Sequence, residues 1–139
     1  MRAHSAIGAS ILASVEPLRD LVPIVVGHHE RWDGTGYPAG RAGDAVGLEA
    51  GIVAVADAFE VIVSRRSYKE ARSIEFARDE LSRCCGTQFH PDAVDALLRI
   101  LDRDRQEGGV LLHRVTTTLQ EEVADLPGPG PLARWYAAT

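Results

Sequence analysis

One stretch constrains this chain more than any other, the eleven residues from 28 to 38 that read HHERWDGTGYP. It places two adjacent histidines, His28 and His29, and two carboxylates directly before a glycine-rich turn. Neutral imidazoles are common ligands of transition metals, and glycines let a loop approach a ligand closely. The apolar run from Leu21 to Val26 predicts a buried helix that delivers both histidines to one place. A solvated helix end followed by a turn is the alternative interpretation.

Apolar periodicity predicts helices on both sides of this stretch. Residues 2–14 form the first, in which Ile7, Ile11 and Val15 recur at helical spacing and His4 can share their inward face. A second helix starts at Pro17 and is bent at Pro23. The segment 34–47, rich in glycine, predicts a long ordered loop, and loops of this length are usually functional. Further helices are predicted over 48–64, from the N-cap Ser73 to about Cys84, and from Pro91 or Asp92 through Leu101.

The helix over 48–64 is apolar nearly all round, as expected of a central core helix, yet it carries Asp57. Burying a carboxylate without a partner would lower the free energy of unfolding by roughly several kcal/mol. Asp57 therefore needs a metal, a cation or dense hydrogen bonds; an ion pair with an arginine is the structural alternative. Arg66 and Lys69 follow and could clamp phosphate oxygens. The alternative is that these cations only stabilise the helix, by interacting with the dipole at its C-terminus.

Composition and charge exclude several classes of protein. A net charge of -5 offers no broad basic surface for DNA or an anionic membrane, and no apolar run is long enough to span a bilayer. The start of the chain does not resemble a signal peptide, and the adjacent Cys84 and Cys85 are unsuited to pairing with each other, so we expect reduced thiols in a cytoplasmic protein. The isolated His90 is expected to cap a helix or lie at the surface rather than bind a metal.

The character of the chain changes after Asp102. Residues 102–109 are charged and end in two glycines, which predicts a hinge, and residues 127–131 alternate proline and glycine. We therefore expect one compact domain over 1–105 and a peripheral or partly disordered extension over 106–139.

Taken together, these segments resemble the C-terminal part of an HD-GYP domain, a branch of the HD phosphohydrolase superfamily. The resemblance runs from about His4 to Leu101. It is carried by the motif over 28–38, by the run from Ile52 to Asp57, by Arg66 to Lys69 and by Gly86 to Pro91.

The resemblance implies an all-α helical bundle that binds two or three divalent metals, iron or manganese, and hydrolyses cyclic di-GMP to pGpG or GMP. Residues at the family's motif positions take their roles from it. The implied metal ligands are His4, His28, His29 and Asp57, the implied phosphate-binding residues are Arg66 and Lys69, and the implied loop beside the site holds Asp33, Gly34, Gly36, Tyr37 and Pro38.

The departures from the family pattern concern the start of the chain. The family's name-giving His-Asp pair lies upstream of the position matched by His4, so the domain is expected to be N-terminally truncated and its two-metal centre incomplete. Helices expected there would cover part of the core. An exposed apolar face is therefore predicted, with either self-association to a homo-oligomer or an upstream partner chain. Within the match, Gly51 replaces a common arginine and His90 a common aspartate.

Three functions follow from these observations. The first is a cyclic di-GMP phosphodiesterase, or part of one completed by another chain. The second is a non-catalytic module that binds cyclic di-GMP through Arg66 and Lys69, or docks a GGDEF-type cyclase through the Gly-Tyr-Pro loop. The third is a gene fragment that functions only within a longer reading frame.

Overall fold

The computed structural model describes residues 3–64 and 71–110, together with positions 114 and 117; the side chains of residues 3 and 4 are outside the description. Within these ranges the structure is helical and contains no strand, only isolated bridges between Asp33 and Ala42 and between Cys85 and Phe89. The predicted all-α class is confirmed. The α-helices are α1 (Ala3–Ala13), α2 (Val22–Gly27), α3 (Leu48–Val63), α4 (Ile74–Arg83) and α5 (Pro91–Gln106), and the 3-10 helices are Glu16–Leu21 and Gly43–Val46. None of the helices in the described part is long and apolar enough to cross a membrane.

The hydrophobic core forms where α3 packs against α4 and α5. Ala77 and Leu81 of α4 are fully buried, and Val94 of α5 is almost as completely enclosed. The α3 residues in this core are Val55, Ala58, Phe59, Ile62 and Val63. The predicted central helix is therefore confirmed, although Ile52 and Val53 in its first half remain 49% and 40% exposed.

The predicted inward face of α1 is wrong. Ile7 and Ile11 are 59% and 63% exposed, whereas Ser5 and Ala9 are buried. Helix α1 packs against α2 through small residues, and a Cβ added to Gly8 would lie 3.3 Å from Val25 Cγ1. Because the two helices lie close together, α1 packs with the face that carries small residues. The spacing of the large apolar residues could not reveal this.

The expectation of one bent, buried helix before the histidines is also corrected. The chain forms a 3-10 helix over Glu16–Leu21 and then α2, with Pro23 in the first turn of α2. Proline is tolerated there because that N–H has no partner within the helix. Leu21 is 44% exposed, and within α2 only Gly27 is buried. The short α2 lies at the edge of the core.

The two C-terminal helices begin as the sequence predicts. Ser73 caps α4, accepting a 3.1 Å hydrogen bond from the Phe76 amide. The predicted hinge over 102–109 is wrong in its first half, because α5 continues to Gln106 and Asp102 forms a 2.5 Å ion pair with Arg78 of α4. The division at residue 105 stays a prediction, since residues 118–139 lie outside the described part.

Helix α3 lies close to the N-cap residue of α5 at Gly51. A Cβ at this position would lie 2.6 Å from His90 Cβ. We expect Gly51→Ala to lower the free energy of unfolding, because overpacking typically costs about 1–3 kcal/mol and exceeds the gain of at most about 1 kcal/mol in helix propensity. Urea unfolding measures the change.

Gly8→Ala in α1 is the comparison, because its Cβ would meet one side-chain atom, Val25 Cγ1, at 3.3 Å. It should lower the free energy of unfolding by less than Gly51→Ala does. Equal effects of the two substitutions would contradict the close contact between α3 and His90.

Candidate metal centre and its loop

The histidine pair lies where α2 ends. His28 is the C-cap residue of α2, and His29 follows it into the loop. Their ring centroids are 3.8 Å apart and the ring planes are tilted by 43°. His28 is half-buried, whereas His29 is 3% exposed. The two imidazoles are thus held together at the edge of the core.

One hydrogen bond orients His28. Its Nδ1 lies 2.7 Å from the carbonyl oxygen of Val25, one turn back in α2. A carbonyl oxygen can only accept, so Nδ1 carries the proton and the lone pair of the neutral ring is on Nε2. Metal-binding histidines commonly show this arrangement, in which the second nitrogen donates to a backbone carbonyl.

The Gly-Tyr-Pro segment folds back onto His29. The Tyr37 ring stacks on the His29 ring with centroids 4.9 Å apart and planes 28° from parallel. The Tyr37 amide donates a 3.1 Å hydrogen bond to the His29 carbonyl oxygen, and the Tyr37–Pro38 peptide bond is cis. The loop therefore covers the ring that is implied to bind a metal.

Gly36 makes this return possible. A Cβ at this position would lie 2.3 Å from the Arg31 nitrogen and 2.6 Å from the His29 carbonyl oxygen. Side-chain rotation cannot relieve such contacts with backbone. A glycine is therefore required here by close approach of backbone to backbone.

Asp33 is engaged within its own turn. Its carboxylate accepts hydrogen bonds from the Thr35 amide and hydroxyl and from the Arg31 guanidinium. The Arg31 hydrogen bond, followed by those from Thr35, holds the pKa of the Asp33 carboxyl well below its usual range. The Asp33 amide donates to the Thr87 carbonyl oxygen at 2.8 Å, which ties the turn to the segment between α4 and α5. Asp33 shapes the loop.

Glu30 directly follows the histidine pair, and the sequence motif alone predicts no role for it. It is 4% exposed, and its two carboxylate oxygens accept hydrogen bonds from the amides of Ala39 and Arg41. Its position directly after the histidines was the available signal, because a carboxylate drawn into the core with them needs partners.

Asp57 lies in the middle of α3 and is half-buried. His4 is part of α1, while Arg66 and Lys69 lie outside the described residues. Among the residues that the structure describes, no three His, Cys, Asp or Glu side chains form a group that could hold a metal ion. The assignment of His4, His28, His29 and Asp57 as metal ligands, and of Arg66 and Lys69 as phosphate-binding residues, therefore stays a prediction.

His90 caps α5, as expected, and it is buried rather than at the surface. Its Nδ1 accepts a 3.2 Å hydrogen bond from the Asp92 amide, and the ring meets Trp32 edge-on with centroids 4.6 Å apart. Both cysteines are free. Burial raises the pKa of the Cys84 thiol, and the neighbouring Glu80 carboxylate raises it further, which disfavours a reactive thiolate.

Comparison with known proteins identifies the family. A model of the HD domain matches residues 1–92. The chain belongs to the HD domain family. The family recognised from the sequence is thereby confirmed. The matched residues extend to the start of α5 and include the histidine pair, the loop that follows it, and α3.

The relatives of this HD domain include several phosphodiesterases. The cyclic di-GMP phosphodiesterase response regulator RpfG of Xanthomonas campestris is 45% identical over 101 residues, 71% of this chain and 27% of the relative. A cyclic di-GMP phosphodiesterase of Thermotoga maritima is 41% identical over 102 residues, 72% of this chain and 28% of the relative. The 3'3'-cGAMP-specific phosphodiesterase 1 of Vibrio cholerae is 45% identical over 76 residues, 52% of this chain and 17% of the relative. The chain thus spans less than a third of the length of these relatives.

Phosphohydrolases with an HD domain depend on bound metal. The donor chemistry at the end of α2 fits such an ion, because His28 presents Nε2 and His29 adjoins it within a closed loop. These two residues would provide imidazole nitrogens of the kind that transition metals accept. Further ligands are needed to complete a site.

We expect Gly36→Ala to separate Tyr37 from His29, because three backbone atoms lie within 2.7 Å of the added Cβ. Loss of the ring-current shift that Tyr37 imposes on His29 in proton NMR spectra would report the separation.

Gly43→Ala is the control for this substitution. Gly43 has a positive φ of 55°, which Gly36 does not have, and open space surrounds the position of an added Cβ. It should lower stability by only about 1–2 kcal/mol and leave the ring-current shift unchanged. An unchanged shift in Gly36→Ala would contradict the proposed need for glycine.

Proposed function

We propose that this HD domain is part of a metal-dependent phosphodiesterase that hydrolyses cyclic di-GMP to pGpG or GMP. The observation that carries the proposal is the pairing of His28 and His29 at the end of α2, with ring centroids 3.8 Å apart and Nδ1 of His28 bonded to the Val25 carbonyl oxygen. The relatives named as cyclic di-GMP phosphodiesterases support the choice of substrate.

In this proposal His4, His28, His29 and Asp57 hold iron or manganese. A metal bound there would activate a water molecule and stabilise charge on the phosphoryl oxygens. Arg66 and Lys69 would hold the phosphate of the substrate, which is suited to charge-assisted hydrogen bonds. Tyr37 would shield His29 from bulk water by covering its ring.

A second candidate substrate belongs to the same chemical class. One relative with 45% identity is specific for 3'3'-cGAMP, a cyclic dinucleotide that differs from cyclic di-GMP in one base. Both nucleotides present the same kind of phosphodiester to the metal, so selection between them must depend on contacts with the bases.

A non-catalytic module that binds the nucleotide or docks a cyclase through the Gly-Tyr-Pro loop is the alternative function. Cytoplasmic location is part of either proposal, since a cyclic dinucleotide signal is read inside the cell.

The proposed metal site predicts that the protein binds transition metal and that removal of a ligand lowers the metal content. Protein purified without oxygen or chelator should contain bound transition metal by elemental analysis, and Asp57→Ala should lose it; two or more ions per chain would mean that the two-metal centre assembles in this chain. Asp79→Ala, which removes an exposed carboxylate from α4, is the matched control and should retain the wild-type metal content.

The metal-loaded protein should then hydrolyse cyclic di-GMP, with 3'3'-cGAMP tested in parallel. Faster turnover of 3'3'-cGAMP would replace the proposed substrate by the second candidate. One metal ion or none, without hydrolysis, would contradict catalysis by this chain alone; nucleotide binding measured by calorimetry would then support the non-catalytic module.

We also propose self-association through the exposed stripe formed by Ile7, Ile11 and Val15, which are 59%, 63% and 44% exposed. Burial of such side chains gives roughly 25 cal/mol for each Å² removed from water. An upstream partner chain is the alternative occupant of this stripe.

We expect light scattering to show an oligomer whose population rises with concentration, and Ile11→Glu to shift it towards the monomer. Ile100→Glu on α5, where the replaced side chain is 50% exposed, is the control and should leave the oligomer intact. A monodisperse wild-type monomer that binds no hydrophobic dye would contradict self-association.

A further inference from the structure

The loop after the histidine pair is held at its far side by one buried carboxylate. Glu30 is 4% exposed, and each of its oxygens accepts one backbone hydrogen bond: Oε1 from the Ala39 amide at 2.7 Å and Oε2 from the Arg41 amide at 3.0 Å. Both donors follow the cis peptide bond between Tyr37 and Pro38. The Glu30 amide in turn donates to the Gly27 carbonyl oxygen at 2.9 Å, so Glu30 is itself anchored to the end of α2.

The near side of the same loop is held by the preceding residue. The His29 carbonyl oxygen accepts from the Tyr37 amide, and Gly36 packs directly against the backbone of residues 29–31. Segment 36–41 is therefore bound at its start by His29 and at its end by Glu30. Between these two attachments the Tyr37 ring lies on the His29 imidazole.

The geometry points to Glu30 as a positioning residue for the metal centre, an inference that rests on the proposed function. Its carboxylate clamps the amides of Ala39 and Arg41, which seats Tyr37 on His29 and sets the plane of the His29 imidazole for metal binding. Glu30 acts through Tyr37, and its own oxygens are directed to the two amides.

The clamp requires a carboxylate. Two N–H groups point at two oxygens, and only a carboxylate offers an acceptor to both. In Glu30→Gln the side-chain NH₂ would face one of these amides, donor against donor, although the size of the side chain is unchanged. Glu30→Asp keeps the charge but shortens the side chain by one methylene group, so it cannot reach both amides.

The first test needs no metal. In Glu30→Gln we expect the His29 ring protons to lose the ring-current shift from Tyr37 in NMR spectra of metal-free protein. Glu49→Gln is the matched control, since Glu49 is exposed in the first turn of α3, and it should keep that shift. An unchanged His29 shift in Glu30→Gln would overturn the inference. If Glu30→Gln does not fold, Glu30→Asp answers the same question.

The second test measures affinity for Mn²⁺ alone, from the signal of the free ion in electron paramagnetic resonance. Manganese is the probe because it binds nitrogen and oxygen ligands in preference to thiols. Residues that orient a metal ligand typically change affinity by about 10–100-fold, and we expect about a tenfold loss in Glu30→Gln and in Tyr37→Leu.

A double-mutant cycle separates positioning from general destabilisation. If Glu30 acts through Tyr37, the double variant Glu30→Gln/Tyr37→Leu should bind Mn²⁺ no more weakly than the weaker single variant. Independent effects would multiply to about a hundredfold loss and would overturn the inference. A wild-type chain without Mn²⁺ affinity would contradict the proposed metal site, and the NMR arm would still decide whether Glu30 seats Tyr37 on His29.

Discussion

The return of the loop over residues 36–41 onto the backbone of residues 29–31 is the contact on which the rest of the candidate site depends. It requires a glycine at 36, because any Cβ would collide with backbone, and it places the Tyr37 ring on His29. The same return brings the amides of Ala39 and Arg41 to the Glu30 carboxylate. The position of His29, the ring that covers it and the hydrogen bonds of Glu30 thus arise from one close approach.

Electrostatics explains why the motif carries two acidic residues with different surroundings. Asp33 accepts hydrogen bonds within its own turn, where the Arg31 guanidinium and Thr35 favour its charged form. Glu30 is buried and accepts two backbone amides, and such amides compensate for the lost solvation of a carboxylate. Both carboxylates are engaged in hydrogen bonds that hold the loop together.

Much of the fold followed from local patterns. The N-cap at Ser73, the start of α5 at Pro91 and the apolar character of α3 each depend on neighbours along the chain, and the structure confirms them. The side chains that face the core were harder to predict. In α1 the large residues Ile7 and Ile11 are exposed, whereas α2 approaches the small residue Gly8 closely. A periodic pattern does not show which face of a helix a neighbouring helix approaches.

The sequence by itself determined the family, the all-α class and the identity of the histidine pair, because a long motif and helical periodicity are properties of the order of residues. Only the tertiary structure decided which nitrogen of His28 is presented, what Glu30 binds and which ring covers His29. These depend on hydrogen bonds and stacking between backbone segments that turn back on each other. The direction of a lone pair and the partner of a buried carboxylate are set by three-dimensional proximity, which spacing along the chain does not encode.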